Sequence, residues 1–155
     1  MIGSLGEIVF EVSTEQIFTF NDLTIQRSAK YSSHAIHGRK ELLEFTGFAP
    51  VSMSMNVVLN AALGINPLEE LEGLQEIFTS HEAVLFILNG VPQGDNLWVI
   101  ESLNEKYDDF HKIGIPQYIE VSLSLKEYVE VNPESNSQEI SQEEFENDYN
   151  GIGNW

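Results

Sequence analysis

The sequence has no cysteine and very few bases. Without thiols, disulfides, thiolate catalysis and cysteine-ligated zinc are excluded, while the redox compartment stays open. Seven Lys and Arg stand against 25 Asp and Glu in 155 residues, so the chain carries −18 with its four histidines neutral. A field of that sign repels phosphates and anionic headgroups, and it disfavours nucleic-acid and membrane-surface roles unless a local basic patch overcomes it. Long hydrophobic runs are also lacking. The longest, Ala83 to Leu88, is far below the ~20 residues of a membrane-spanning helix. Met1 to Val12 has no base before its apolar residues and no small-residue cleavage site, so a secretory signal is not expected there. What is present is a 42% apolar chain of single-domain length, enough to build one core.

The charge is unevenly placed. Residues 132–155 hold six acids (Glu134, Glu139, Glu143, Glu144, Glu146, Asp148) and no base, which leaves 19 acids and seven bases, a net −12, in residues 1–131. Asn132-Pro133 and the polar run through Gln138 read as a linker, so the expected division is a body of 1–131 and an acidic tail of 132–155. Four of the seven bases, Arg27, Lys30, Arg39 and Lys40, fall in one stretch, and no acid lies between Leu23 and Lys40. It is a positive island in a negative molecule.

The body reads as mainly β. Val51, Met53, Met55, Val57 and Leu59 alternate with mostly polar neighbours, and Ile119, Val121, Leu123 and Leu125 do the same. Each pattern predicts a strand with one buried face. Gly6 to Val12, Gln16 to Phe20, Ala83 to Leu88 and Leu97 to Tyr107 are further expected strands, with Asn89-Gly90 as a turn and Asn21-Asp22 turning the chain into Leu23 to Gln26. Arg39 to Phe45 fits a strand and a helical turn equally. One helix is signalled by Asn66 as cap, Pro67 in the first position, Glu69 and Glu70 at the positive end of the dipole, and Leu68, Leu71, Leu74 and Phe78 at helical spacing. In the tail, Ser141 and Glu144 have capping-box spacing, with Ile140 and Phe145 at staple positions. Two turns of helix do not hold themselves in water. With Phe145, Tyr149, Ile152 and Trp155 as apolar anchors, the tail is expected to dock on a neighbouring protein, for which the Arg27 to Lys40 island of another copy is a candidate.

Catalytic chemistry finds little support. His34 and His37 have metal-ligand spacing for a helix, yet Ser32, Ser33 and Gly38 favour extended chain, and no zinc-protease Glu lies between them. Asp108, Asp109 and His111 read as a solvated hairpin tip. No phosphate-cradling glycine loop and no Gly-x-Ser-x-Gly elbow occurs. No catalytic residue, metal site or cofactor is therefore expected. The basic island, lacking interleaved aromatics, suits a protein surface of opposite charge better than nucleic acid.

The order of features carries a resemblance. Leu5-Gly6-x-x-Val9-Phe10 is followed by a base-containing segment, Ile36-His-Gly-Arg39 and Leu43-Glu-Phe-Thr-Gly47. Then come the Val51 strand, the passage from Gly64 into the helix, Leu85 to Asn89-Gly90, Trp98-Val-Ile-Glu-Ser102, the Phe110 to Pro116 turn and the Ile119 strand. Over roughly residues 1 to 130 this succession resembles the GpU family of tail proteins of contractile-tailed temperate phages and phage-tail-like bacteriocins. The tail from Ser135 to Trp155 lies outside it.

The resemblance implies an α+β, mainly β fold, a tail-tube-like β-sandwich or barrel-like sheet flanked by one helix. It implies a structural, non-enzymatic baseplate component, made in the bacterial cytoplasm, which in a ring of six binds the central tube or hub and links it to the sheath or sheath initiator and the baseplate. A terminator ring at the neck end of the tail is the alternative placement, and a metal-dependent enzyme or metal-binding module is the less favoured class. The partner-binding expectation rests on Arg27, Lys30, Arg39, Lys40, Phe145, Tyr149, Ile152 and Trp155, with no membrane and no direct nucleic-acid contact.

Overall fold

A computed structural model describes residues 1–130. Eleven strands appear in chain order: β1 (Gly3–Leu5), β2 (Ile8–Val12), β3 (Ile17–Phe18), β4 (Phe20–Gln26), β5 (Ala29–His34), β6 (Leu42–Phe48), β7 (Ser52–Asn60), β8 (Phe86–Leu88), β9 (Val91–Pro92), β10 (Leu97–Phe110) and β11 (Pro116–Tyr128). A short 3-10 turn at Ala61–Leu63 and the helix α1 (Pro67–Ser80) separate β7 from β8. The strands form an antiparallel four-stranded sheet in the order β10-β11-β7-β4, a second sheet β3-β2-β1-β8-β9, and a separate pair β5-β6. Among the described residues the fold is mainly β with one α-helix, and the sheets are open, so the barrel-like alternative gives way to packed layers.

Alternation builds the centre. Met53, Met55, Val57 and Leu59 of β7 face inward beside Ile119, Val121, Leu123 and Leu125 of β11, and each is at most 2% exposed. A period of two places one row of each strand on one side of the sheet. Across the core, Phe10 of β2 meets Phe20 of β4 edge to face at 5.0 Å, and Phe20 meets Phe86 of β8 at 5.8 Å. These rings tie the two layers. The chain changes layer at Thr19, between β3 in the five-stranded sheet and β4 in the four-stranded one.

The expected single strand from Gly6 to Val12 is half of a hairpin. Gly6, at φ 58, and Glu7 turn the chain so that Leu5 pairs with Ile8. Asn89 and Gly90, both at positive φ, form the two-residue turn between β8 and β9, the left-handed geometry that matches strand twist. At Asn21-Asp22 the expected turn is a register shift within β4, where Asp22 adopts φ 52 and pairing with β7 resumes at Thr24.

The helix covers the inner face of β10, β11 and β7. Pro67, Leu71 and Leu74 are buried and Ile77 packs against the core, while Leu68 and Phe78 are exposed. The buried stripe is thus one position away from the expected Leu68 and Phe78 at its two ends. Pro67 takes the first helical position, but the Asn66 side chain makes no capping bond and reaches Glu69 Oε2 at 3.5 Å. The helix ends at His81 in the left-handed region, φ 57. Its stability comes from the buried stripe rather than from caps.

Candidate functional site

Two features of the surface lack partners within the described residues: most of the outer edges of the four-stranded sheet, and the hairpin arm. β10 and β4 are the edges of that sheet, and β10 is covered at its start, where the Val84 N–H donates to the Trp98 carbonyl at 2.7 Å and the Trp98 N–H to the Val84 carbonyl at 2.8 Å. The face turned away from the core is mostly polar, with Ser52, Ser54 and Asn56 of β7 beside Ser122, Ser124 and Lys126 of β11, and Val58 and Asn60 opposite Glu120 and Tyr118 toward its other end. Ser122 Oγ donates to Asn56 Oδ1 at 2.9 Å, and Asn56 Nδ2 donates to Asp22 Oδ2 at 3.2 Å. Lys126 Nζ lies 4.0 Å from Glu101 Oε1.

The arm is β5 and β6. It shares no ladder with the other sheets, and every residue of β5 is exposed. The ambiguous stretch around Arg39 to Phe45 resolves here as turn followed by strand. Its pattern was hidden by a bulge: Lys30 pairs with Gly47 but Tyr31 with Phe45, so Thr46 is the extra residue. The bulge brings Phe48 onto the same side as Phe45. Tyr31 and Phe45 meet at 5.7 Å, Phe45 and Phe48 at 5.0 Å, both edge to face. Phe48 is 80% exposed and Leu43 63%. A two-stranded hairpin is marginal in water, and this one carries a row of exposed aromatics.

The basic island maps onto the arm. Arg27 sits at its root between β4 and β5, Lys30 lies on β5, and Arg39 and Lys40 are in the connecting turn, all exposed. Alternation puts Lys30 on the face opposite Tyr31, so Arg27 and the Arg39-Lys40 pair bracket the aromatic face from its two ends. His34 Nε2 lies 2.9 Å from Glu44 Oε2 across the arm, and Ser33 Oγ donates to Glu41. His34 closes β5 and His37 lies in the turn, so the pair flanks a strand end. Asp108, Asp109 and His111 lie where β10 gives way to the turn before β11, as a hairpin tip. Among the described residues no group of three or more His, Asp or Glu is placed to hold one ion.

At the root of the arm a cleft of about 610 Å³ opens between arm and body. Ala29, Phe48, Pro50, Val51 and Val129 supply apolar wall, while Arg27, Asp95 and Glu127 add charge. Glu127 is held by Asn96 Nδ2, which donates to Oε1 at 2.7 Å, and by the Val51 N–H, which donates to Oε2 at 3.0 Å. These bonds, the Asn96 one foremost, hold the carboxyl below the usual range, and Arg27 adds to the effect. Such a cleft suits a peptide segment with apolar anchors. Among the described residues, Ser28 is the one hydroxyl in the lining, with no imidazole among the lining residues.

Phe145, Tyr149, Ile152 and Trp155 lie outside the described residues, as does the boundary at 131 and 132. The aromatic row of Tyr31, Phe45 and Phe48 was missed by sequence reasoning, as were the exposed Phe110, Ile113 and Ile115 around the β10–β11 turn. The available signal was Phe45-Thr-Gly-Phe48 beside Leu42-Leu43, too many apolar residues for a solvated turn. No helix of the described residues is long and apolar enough to cross a membrane.

No curated protein matches the chain significantly. The profile of the family described as Phage P2 GpU matches residues 6–130, the β-rich body from the first turn past the end of β11, with β1 outside the match. The chain belongs to the Phage P2 GpU family and is a structural protein of a phage tail.

Proposed function

We propose that this protein is a baseplate component of a contractile tail that joins the central tube or hub to the sheath and baseplate, acting as a closed ring of copies. The observation that carries the reading is the four-stranded sheet, whose β4 edge, and whose β10 edge beyond the Val84 bridge at Trp98, are without a partner strand among the described residues, with the core on one face and mostly polar residues on the other. Unpaired strand edges are templates for another strand. Joining β10 of one copy to β4 of the next is a head-to-tail contact, and a contact of that type that closes makes a ring. Helix and core occupy one side of the sheet, so the serine and asparagine face would line the central channel. Other tail proteins would then meet the outer layer and the arm.

Native mass measurement of the purified protein, with and without copurified tail proteins, tests for the ring. A map of the particle locates it: a ring of density at the baseplate is the expected result. Density at the neck end would assign the protein to the terminator position instead. A persistent monomer, together with particles that assemble and contract normally without its gene, would overturn the assembly role.

A further inference from the structure

We infer that the acidic C-terminal segment folds back on its own body, laying Phe145, Tyr149, Ile152 and Trp155 into the cleft at the arm root and along the aromatic face of the arm. Three observations converge. First, the exit point: Val129 lines the cleft, so the chain leaves the body inside the surface it would cover. About nine residues separate Glu130 from Ile140, a reach of up to about 30 Å when extended. That exceeds the ~20 Å length of a six-residue strand. No second copy is needed.

Second, the surfaces match in kind. Ala29 and Phe48 belong both to the cleft wall and to the arm, so the apolar strip runs unbroken from Val51 and Val129 through Phe48 to Phe45 and Tyr31. An exposed aromatic strip calls for an apolar cover. The segment offers four large apolar side chains in its last eleven positions. Third, the charges match. Arg39 with Lys40 at the far end of the strip face a segment with six acids and no base, while Arg27 at the root is shared with Glu127. The arm's own acids are engaged locally, Glu44 with His34 and Glu41 with Ser33.

Tethering gives the segment an effective concentration of about 1 mM. Against an intrinsic Kd on the order of 0.1 mM, that covers the arm about nine-tenths of the time and protects it roughly tenfold. Such a cover is weak enough to be displaced by a tail protein that binds the arm. That competition rests on the proposed assembly role, whereas the docking does not.

The test is hydrogen exchange on the full-length protein, comparing it with a full-length variant carrying Phe145→Ser, Tyr149→Ser, Ile152→Ser and Trp155→Ser. The expected result is about tenfold faster exchange in the variant for amides of residues 29–48, no change in β7 and β11, and the same contrast at tenfold lower protein concentration. A variant with Arg39→Glu and Lys40→Glu should show part of the same loss. Equal exchange in the wild type and the four-serine variant would overturn the inference. Protection that disappears on dilution would overturn it too, by assigning the segment to a second copy. Trp155 emission gives a second reading: the wild-type spectrum minus that of Trp155→Phe should be blue-shifted from free indole, and an unshifted difference spectrum counts against docking. A purified protein that forms no ring leaves all of these outcomes readable.

Discussion

Phe45→Ser separates the arm from the core energetically. Phe45 touches Tyr31 at 5.7 Å and Phe48 at 5.0 Å, so one substitution removes both aromatic contacts of the arm. Each edge-to-face pair contributes about 0.5–1.5 kcal/mol, so the local loss is about 1–3 kcal/mol. Because β5 and β6 form no ladder with the other sheets, that loss should remain in the arm as a separately opening unit. Amide exchange in residues 29–48 should then accelerate by about 5- to 150-fold, while the main thermal transition moves little. The comparator is Phe10→Ala. Phe10 is fully buried and packs on Phe18 at 5.2 Å and Phe20 at 5.0 Å. Its loss should cost about 3–5 kcal/mol and lower Tm by roughly 10–20 °C. Parallel calorimetry and hydrogen exchange read both. If Phe45→Ser lowered Tm as far as Phe10→Ala, the arm would be part of the cooperative core and the reasoning would fail.

Gly64→Ala should destabilise by at least about 1–2 kcal/mol from its left-handed backbone alone, since Gly64 has φ 83 and a Cβ there would also overlap the Glu15 carbonyl oxygen; urea melts measure it. Gly90→Ala places a side chain at φ 75 with open space around it, so only the conformational cost of about 1–2 kcal/mol should appear. A larger loss in the same melts would contradict that. Glu127→Gln should change the acid limb of the stability profile. With the folded carboxyl below its unfolded value, its contribution is present above the ordinary carboxylate range and is lost as pH falls through the folded pKa. The variant should therefore lose stability at neutral pH and show a shallower decline on acidification, and an unchanged profile would refute the role given to Asn96 and Val51.

The sequence disclosed the parts of the fold whose periodicity is undisturbed. β7 and β11 alternate without interruption over their paired lengths, and one buried face per strand suffices to place them. The helix was visible from Pro67, Glu69 and Glu70, but its buried stripe runs through Pro67, Leu71, Leu74 and Ile77. Leu68 is apolar without being inward, and only packing against β10 and β11 distinguishes it. At Asp22 a left-handed residue marks both a turn and a bulge; the pairing of Thr24 with Ser54 decides between them. The arm was hardest to read, since the extra Thr46 breaks the period of two within a segment whose two faces both meet solvent. The bases of the candidate surface stood out because they interrupt a negative chain. Its aromatics did not, because exposed and buried rings look alike until a fold is built around them.

The arm's lack of shared ladders has a consequence for how such a protein changes over evolutionary time. A hairpin that shares no ladder with the body among the described residues, its base closed where the Ala49 N–H donates to the Ser28 carbonyl at 3.0 Å, can lengthen, shorten or trade its aromatics without disturbing the register of β7 and β11. Doubling such an excursion costs only about 0.6 kcal/mol in closure entropy. Under the proposed assembly role, variation in recognition is thereby uncoupled from variation in scaffold, in an element whose failure leaves the folded body intact.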